Sequence, residues 1–272
     1  MRAVRIHEDG GPEVLVLEEA PDPVAGPGEV LVRLRASALN HLDVWIRKGL
    51  PSVPKPRILG ADGAGVVEAL GDGVSGFEPG QRIVLNPGIE VGGGRIHVIG
   101  EHGDGTNAEL IAVPATNVHP IPDGLSFEEA AAFPLVFETA YRMLVTRAGL
   151  REGEWVLAWG IGGGVSTATL AIGKALGANV MVTSSSEAKL ERARELGADA
   201  TVNHAAGDVK EAVKEATGGR GADVVVETVG EATWATSLQV AAPGGRITVC
   251  GATSCPSGTV NSNGPKRTHP PP

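Results

Sequence analysis

The sequence predicts an α/β plus β protein of two parts, an antiparallel β domain followed by a doubly wound parallel sheet. Three observations carry this prediction. Short segments in the first half alternate apolar and polar residues between glycine turns, as half-buried strands do. Short apolar segments in the second half alternate with helical ones, which is typical of a parallel sheet covered on both faces. A glycine-rich loop also joins one of these apolar segments to a helix. We divide the chain into domains at residues 1–125 and 126–253 and an irregular tail at 254–272.

The first domain is predicted from its glycine and proline punctuation. Strands are expected at residues 14–17, 29–35 and 82–85, and a short helix over 40–49 is followed by three prolines. Seven glycines between residues 60 and 80 predict tight corners. Many short strands joined by glycine corners indicate a closed or nearly closed antiparallel domain.

The second domain is predicted from regular alternation. Ser126 followed by two glutamates forms an N-cap with an acidic first turn, which predicts a helix start. The predicted helices are 128–133, 137–148, 165–176, 187–196, 209–217 and 232–240. The predicted strands are 155–159, 180–183, 200–203, 224–227 and 247–250.

Composition excludes several classes of function. The net charge is −9 and no basic tract carries aromatic residues, so we expect no nucleic-acid partner. No apolar run reaches the roughly 18 residues that span a membrane, and the N-terminus lacks a signal-peptide core, so we expect a cytoplasmic protein without a membrane partner. The only cysteines, Cys250 and Cys255, form neither a disulfide framework nor a four-cysteine zinc site.

The loop after the first strand of the second domain predicts dinucleotide binding. A pyrophosphate needs backbone N–H groups and a helix N-terminus at close range, and side chains would block that approach. The alternative is a plain strand-to-helix turn rich in glycine. The loop residues that we expect to bind are Gly160, Gly162, Gly163, Gly164, Val165 and Ser166.

The end of the second strand in this domain bears on the choice of cofactor. Ser184, Ser185 and Lys189 offer hydroxyls and a cation, which suit a 2′-phosphate, so NADPH is the predicted cofactor. Glu187 leaves NADH possible. Alternatively, the serines only cap the next helix and Lys189 is solvated. Gly251, after the fifth strand, completes the predicted cofactor-binding set.

Residues 60–83 resemble the signature of the medium-chain dehydrogenases/reductases, the superfamily of zinc alcohol dehydrogenases and quinone oxidoreductases. The segments 40–43, 105–109 and 130–134 and the glycine loop follow in the family's order. The residues of 60–83 that carry the likeness are Gly63, Gly65, Val67, Gly71, Val74, Gly80 and Arg82. The resemblance covers about residues 1–253. It implies a GroES-like β domain, a Rossmann domain, a small-molecule substrate in a cleft between them, and a homodimer.

The departures from this family concern zinc. Zinc-dependent members have a cysteine and a histidine at the positions of Asn40 and Ala61, and a glutamate at that of Asp62. The lobe that carries four cysteines in such members is represented by residues 90–95, without a cysteine. We therefore expect no zinc at either place, and the scattered His41 and His102 do not change this expectation.

The resemblance implies a zinc-free reductase that transfers hydride from NAD(P)H to a quinone or an α,β-unsaturated carbonyl. It makes Asn40, Asp43 and Thr139 the candidate catalytic residues, although Asp43 is equally explained as a buried structural carboxylate. Two alternatives stay open. One is an alcohol dehydrogenase with a non-standard metal site, and the other is a catalytically compromised dinucleotide-binding protein.

The second alternative comes from the C-terminal part of the sequence. A full doubly wound sheet has six strands, whereas this chain predicts five, so we expect an incomplete Rossmann sheet and a truncated product or fragment. Its open edge would lie where relatives form their dimer, which puts the homodimer in doubt.

Overall fold

A computed structural model describes residues 1–254. The chain forms two compact units, Met1–Leu135 and a second one that begins at Val136. The domain boundary at 125/126 stays a prediction, and the tail predicted for 254–272 lies outside the described residues beyond Ser254. None of the helices in the described part is both long and apolar enough to cross a membrane.

The first unit is built from antiparallel strands with two short helices, α1 (His41–Arg47) and α2 (Phe127–Ala131). The strands are β1 (Arg2–Ile6), β2 (Val16–Glu19), β3 (Glu29–Ala38), β4 (Arg57–Ile58), β5 (Asp62–Leu70), β6 (Arg82–Leu85), β7 (Gly88–Glu90), β8 (Ile96–Val98), β9 (Leu110–Pro114) and β10 (Val118–Pro120). The main sheet has the order β10-β6-β5-β3-β9, a smaller sheet has the order β2-β1-β4, and β7 and β8 form a hairpin.

The pairing of β3 with β5 positions the polar residues of this unit. Val30 and Val32 of β3 are fully buried in the core of the main sheet, because alternate residues of a strand face one side. A Cβ on Gly65 would lie 2.2 Å from the carbonyl oxygen of Arg33, so glycine permits the close approach of these strands. Ala38 is paired with Asp62, which brings the start of α1 beside the start of β5.

The second unit holds a five-stranded parallel sheet, consistent with a Rossmann-type domain. Its strands are β11 (Trp155–Ala158), β12 (Asn179–Ser184), β13 (Ala200–Asn203), β14 (Ala222–Glu227) and β15 (Ala241–Val249). They lie in the order β13-β12-β11-β14-β15. The helices of this unit are α4 (Gly164–Ala175), α5 (Glu187–Glu195), α6 (Val209–Ala216) and α7 (Glu231–Val240), and α3 (Pro134–Tyr141) begins with the last two residues of the first unit and continues into the second. All residues of β14 are buried, as expected of a strand covered on both faces. The predicted doubly wound sheet is confirmed.

Three local predictions are wrong. The strand expected at 14–17 is a 3₁₀ turn, Pro12–Val14, followed by β2, because proline fixes its φ near that of a helical turn. The helix expected at 137–148 is α3 continued by a π-helix, Arg142–Arg147. Tight corners are expected throughout residues 60–80, but Asp62–Leu70 of this segment forms β5. The glycines of β5 permit close strand pairing instead of forming turns.

Candidate active site

The glycine loop joins β11 to α4 at the carboxyl edge of the parallel sheet. Gly160 and Gly162 have φ values of +68° and +101°, a region that favours glycine. The N–H of Gly160 donates to Thr183 Oγ1 at 3.2 Å, and the N–H of Ile161 donates to the Thr183 carbonyl at 2.7 Å. The end of β12 therefore holds the start of the loop in place.

Ser166 fixes the other side of the loop. Its hydroxyl is buried and lies 2.8 Å from the Gly160 carbonyl and 3.1 Å from the Gly163 carbonyl, to which it donates. The loop leads into α4, whose first N–H groups, on Gly164, Val165 and Ser166, precede any intrahelical acceptor. Such a helix start attracts an anionic group, and the exposed Gly162, Gly163 and Gly164 leave room for its approach.

Gly164 has a further, steric role. A Cβ at this position would lie 2.5 Å from Cγ1 of Val136, well inside van der Waals contact. The start of α4 therefore packs directly on α3, and a side chain at this position would force Val136 to shift.

The residues predicted to select the cofactor lie beside the loop but differ in their contacts. The Lys189 side chain packs over Gly162, where Cδ and Nζ would be 3.0 and 3.3 Å from an added Cβ, and within residues 1–254 it has no ion-pair partner. Glu187 accepts from Asn203 Nδ2 at 2.6 Å. Ser184 is buried and its Oγ accepts from the N–H of Ser186 at 3.1 Å, whereas Ser185 is exposed.

A cavity of about 760 Å³ opens next to the loop, with walls that include Gly160, His204, Val229 and Thr233. It lies at the carboxyl edge of the sheet, where ligands of open α/β sheets bind. Its polar and apolar walls and its size suit a small organic molecule.

Gly251 and Thr139 lie elsewhere in the second unit. Gly251 follows β15 with φ +76°, next to Cys250, whose N–H donates to the Glu227 carbonyl at 2.9 Å. Thr139 belongs to a groove of about 810 Å³ whose lining also includes Trp234.

In the first unit, the predicted Asn40 is paired with a residue that sequence reasoning did not select. Asn40 Nδ2 donates to Asp62 Oδ2 at 3.0 Å, and the N–H of Leu135 donates to Asp62 Oδ1 at 2.9 Å. Asp62 is 1% exposed. The buried carboxylate thus holds the amide of the half-buried Asn40 in one orientation.

Burial raises the pKa of Asp62 to about 6, although the hydrogen bonds from Asn40 and Leu135 act in the opposite direction. Asp43 also has a raised pKa because of burial. Its two oxygens accept from the N–H groups of Asn40 at 2.8 Å and Gly60 at 2.9 Å. These contacts fix the start of α1 and the approach to β5.

The side chains at this place do not fit zinc. Zinc is held by thiolates, imidazoles and carboxylates, and of Asn40, Ala61 and Asp62 only Asp62 supplies one of these. Among residues 1–254, no three His, Cys, Asp or Glu side chains gather closely enough to hold a metal ion.

Asp62 and Glu227 are among the buried carboxylates that were not selected from the sequence. Asp62 stands in the sequence only as the counterpart of a residue near zinc. The available signal was the same for both, a single acid inside a run of small or apolar residues. Such an acid must find hydrogen-bond donors when buried.

Comparison with known proteins agrees with this architecture. The sequence-family model of the alcohol dehydrogenase GroES-like domain matches residues 26–123. The sequence-family model of the zinc-binding dehydrogenases matches residues 164–266. A quinone oxidoreductase of Pseudomonas aeruginosa is 38% identical over 253 residues, covering 93% of this chain and 74% of the relative.

Solved structures give the same result. A crystal structure of an NAD-dependent alcohol dehydrogenase is 46% identical, with a TM-score of 0.90 over 97% of this chain and 80% of that one. A mycobacterial protein in complex with NADPH is 30% identical, with a TM-score of 0.85 over 96% of this chain and 77% of that one. The chain therefore belongs to the medium-chain dehydrogenase/reductase superfamily of oxidoreductases.

Proposed function

We propose that this protein is an NADPH-dependent reductase of quinones or α,β-unsaturated carbonyls that works without zinc. The observation that carries the proposal is the pairing of Asn40 with Asp62. An amide and a single carboxylate stand at the place that the family resemblance assigns to catalytic zinc. A hydrogen-bond donor can stabilise an enolate oxygen without a metal ion.

The glycine loop supports a bound nicotinamide dinucleotide, because its exposed backbone and the start of α4 can receive a pyrophosphate. For NADPH, we infer that Lys189 approaches the 2′-phosphate, since it lies over Gly162. Glu187, the residue that would favour NADH, is held by Asn203. Ser185 is exposed and can donate a further hydrogen bond.

A bound NADPH supplies the hydride. The part of Asn40 in this proposal is to donate a hydrogen bond from its amide to the carbonyl oxygen of the substrate, where negative charge develops. Asp62 keeps that amide oriented, and Asp43 fixes the backbone of Asn40. We keep Thr139 as a candidate for contact with the nicotinamide.

A second candidate is an alcohol dehydrogenase with a non-standard metal site. It is favoured by the 46% identity to a crystal structure of an NAD-dependent alcohol dehydrogenase. The residues at Asn40 and Ala61 argue against it, because neither is a zinc ligand. A catalytically compromised binding protein is the third candidate.

A substrate panel on the purified chain separates these candidates. We expect NADPH oxidation with quinones or enones and none with simple ketones. Asn40→Ala should lower kcat by about a hundredfold and leave the Kd for NADPH unchanged. Asn86→Ala is the matched control, because the side chain of this asparagine, in the same unit, accepts from the N–H of Gly88 and makes no contact with Asn40 or Asp62 among the described residues.

The panel also has results that contradict the proposal. NADH-dependent alcohol oxidation that requires added metal would favour the second candidate, and NADPH binding without turnover would favour the third. Three expectations stay predictions: the cytoplasmic location, the absence of a nucleic-acid partner, and a homodimer that the incomplete sheet puts in doubt.

A further inference from the structure

Glu227 is a fully buried carboxyl group with no part in the chemistry proposed above. It is the last residue of β14 and has no exposed surface. A carboxylate in such a place is very costly unless donors surround it. Its contacts therefore indicate what the residue is for.

Among the residues that the structure describes, four donors surround this carboxyl group. Oε1 accepts from the N–H of Val229 at 2.8 Å, the N–H of Gly230 at 3.1 Å and the Thr233 hydroxyl at 2.8 Å. Oε2 accepts from the Ser237 hydroxyl at 2.6 Å. Gly230 has φ +94°, so the turn that leads from β14 into α7 is shaped around the carboxyl group.

The same network reaches the glycine loop. The indole Nε1–H of Trp159 donates to Ser237 Oγ at 2.8 Å, and Trp159 is the residue directly before Gly160. Trp159 and Gly160 form one part of the lining of the 760 Å³ cavity, and Val229 and Thr233 form another part. One carboxyl group thus contacts one wall directly and the other through Ser237.

We infer that Glu227 is a positioning residue that holds the Trp159–Gly160 and Val229–Thr233 walls at the separation a nicotinamide dinucleotide requires. The inference rests on the proposed cofactor site and assigns Glu227 no contact with the ligand. Its effect is to preorganise the cavity, so that binding does not have to order these walls.

Glu227→Gln tests the inference with little change in shape. The amide replaces one acceptor oxygen with an NH₂ group, so either Ser237 or the backbone of the turn loses its acceptor. Asp223→Asn is the matched control on the same strand. Asp223 is also buried, but it lies toward the amino end of β14, where it accepts from the N–H of Trp155 at 2.8 Å and pairs with Arg220.

Three quantities are measured on each full-length variant: the Kd for NADPH, the thermal midpoint and the indole N–H proton resonance of Trp159, identified with Trp159→Phe. Both substitutions should lower the thermal midpoint. Only Glu227→Gln should raise the Kd, by about tenfold, and shift the Trp159 resonance. Ser237→Ala removes the hydroxyl that joins Trp159 to Glu227 and keeps the carboxyl group. It should shift the same resonance and raise the Kd for NADPH as well.

Equal Kd values for Glu227→Gln and Asp223→Asn, with the wild type binding NADPH, would overturn the inference and leave the proposed function standing. If Glu227→Gln does not fold, an unchanged Kd in Ser237→Ala would overturn the inference in the same way. A wild-type chain that binds no NADPH would overturn both the inference and the proposed cofactor.

Discussion

Asp62→Asn should change how the stability of the first unit depends on pH. Asp62 is 1% exposed and accepts from Asn40 Nδ2 and the Leu135 N–H. Asparagine has the same shape and can keep both contacts if the Asn40 amide turns over. The substitution therefore removes the ionisation of a buried group with little loss of packing.

The magnitude follows from the pKa of Asp62, which burial raises from 3.8 to about 6. This difference corresponds to about 3 kcal/mol. Because the folded-state pKa is raised, the stabilisation is complete below pH 3.8 and is lost as the pH rises through about 6. About 2 kcal/mol of the loss falls between about pH 4.5 and 7.

The assay is urea unfolding at several pH values, read by hydrogen exchange of peptides from the first unit so that the second unit does not contribute. The free energy of unfolding of the wild type relative to Asp62→Asn should fall by about 2 kcal/mol between about pH 4.5 and 7. Asp72→Asn, an exposed carboxylate of the same unit, is the control for the change in net charge.

A constant difference between wild type and Asp62→Asn over this range would refute the reasoning, because Asp62 would then titrate alike in the folded and unfolded chain. A difference that grows with pH would mean that the hydrogen bonds from Asn40 and Leu135 outweigh burial. Either result would remove the electrostatic account of the Asn40–Asp62 pair.

Three further predictions concern the cofactor site and the metal. Lys189→Met should raise the Kd for NADPH about tenfold and leave the Kd for NADH unchanged. The exposed Lys214→Met is the control and should change neither Kd. A similar change for both cofactors in Lys189→Met, or for NADPH in Lys214→Met, would contradict the 2′-phosphate assignment. Gly164→Ala should lower the free energy of unfolding by about 1–3 kcal/mol, because the new Cβ meets Val136. Val136→Ala in the Gly164→Ala background should restore part of this loss. Additive effects of the two substitutions, in a double-mutant cycle measured by denaturant unfolding, would argue against the contact. Treatment with a zinc chelator should leave quinone or enone reduction unchanged, and activity that falls on chelation and returns with zinc would show a metal requirement.

The parallel sheet was accessible from the sequence because its signals are local. Strands such as β13 end where apolar runs meet turn residues, and the predicted bounds agree with the structure there. The loop after β11 was equally visible, since Gly160 and Gly162 are needed for positive φ. The π-helix Arg142–Arg147 was not, because its apolar pattern does not distinguish it from an α-helix.

The polar contacts depend on pairs that are distant in the chain. Asn40 meets Asp62 because β3 and β5 pair in one register, and the distance along the chain does not indicate that. Lys189 reaches Gly162 across two connections of the parallel sheet, and Glu227 reaches Trp159 only through Ser237. Residue type suggested some of these side chains, whereas their partners required the fold.

The most direct test of the central claim is a single turnover with NADPH carrying deuterium at the transferable position of the nicotinamide. Chelator-treated protein is mixed with an α,β-unsaturated ketone, and the product is analysed by mass spectrometry and NMR. We expect one deuterium at the β carbon of the saturated ketone, without added metal. No transfer of deuterium, or transfer to the carbonyl carbon only after zinc is added, would contradict it.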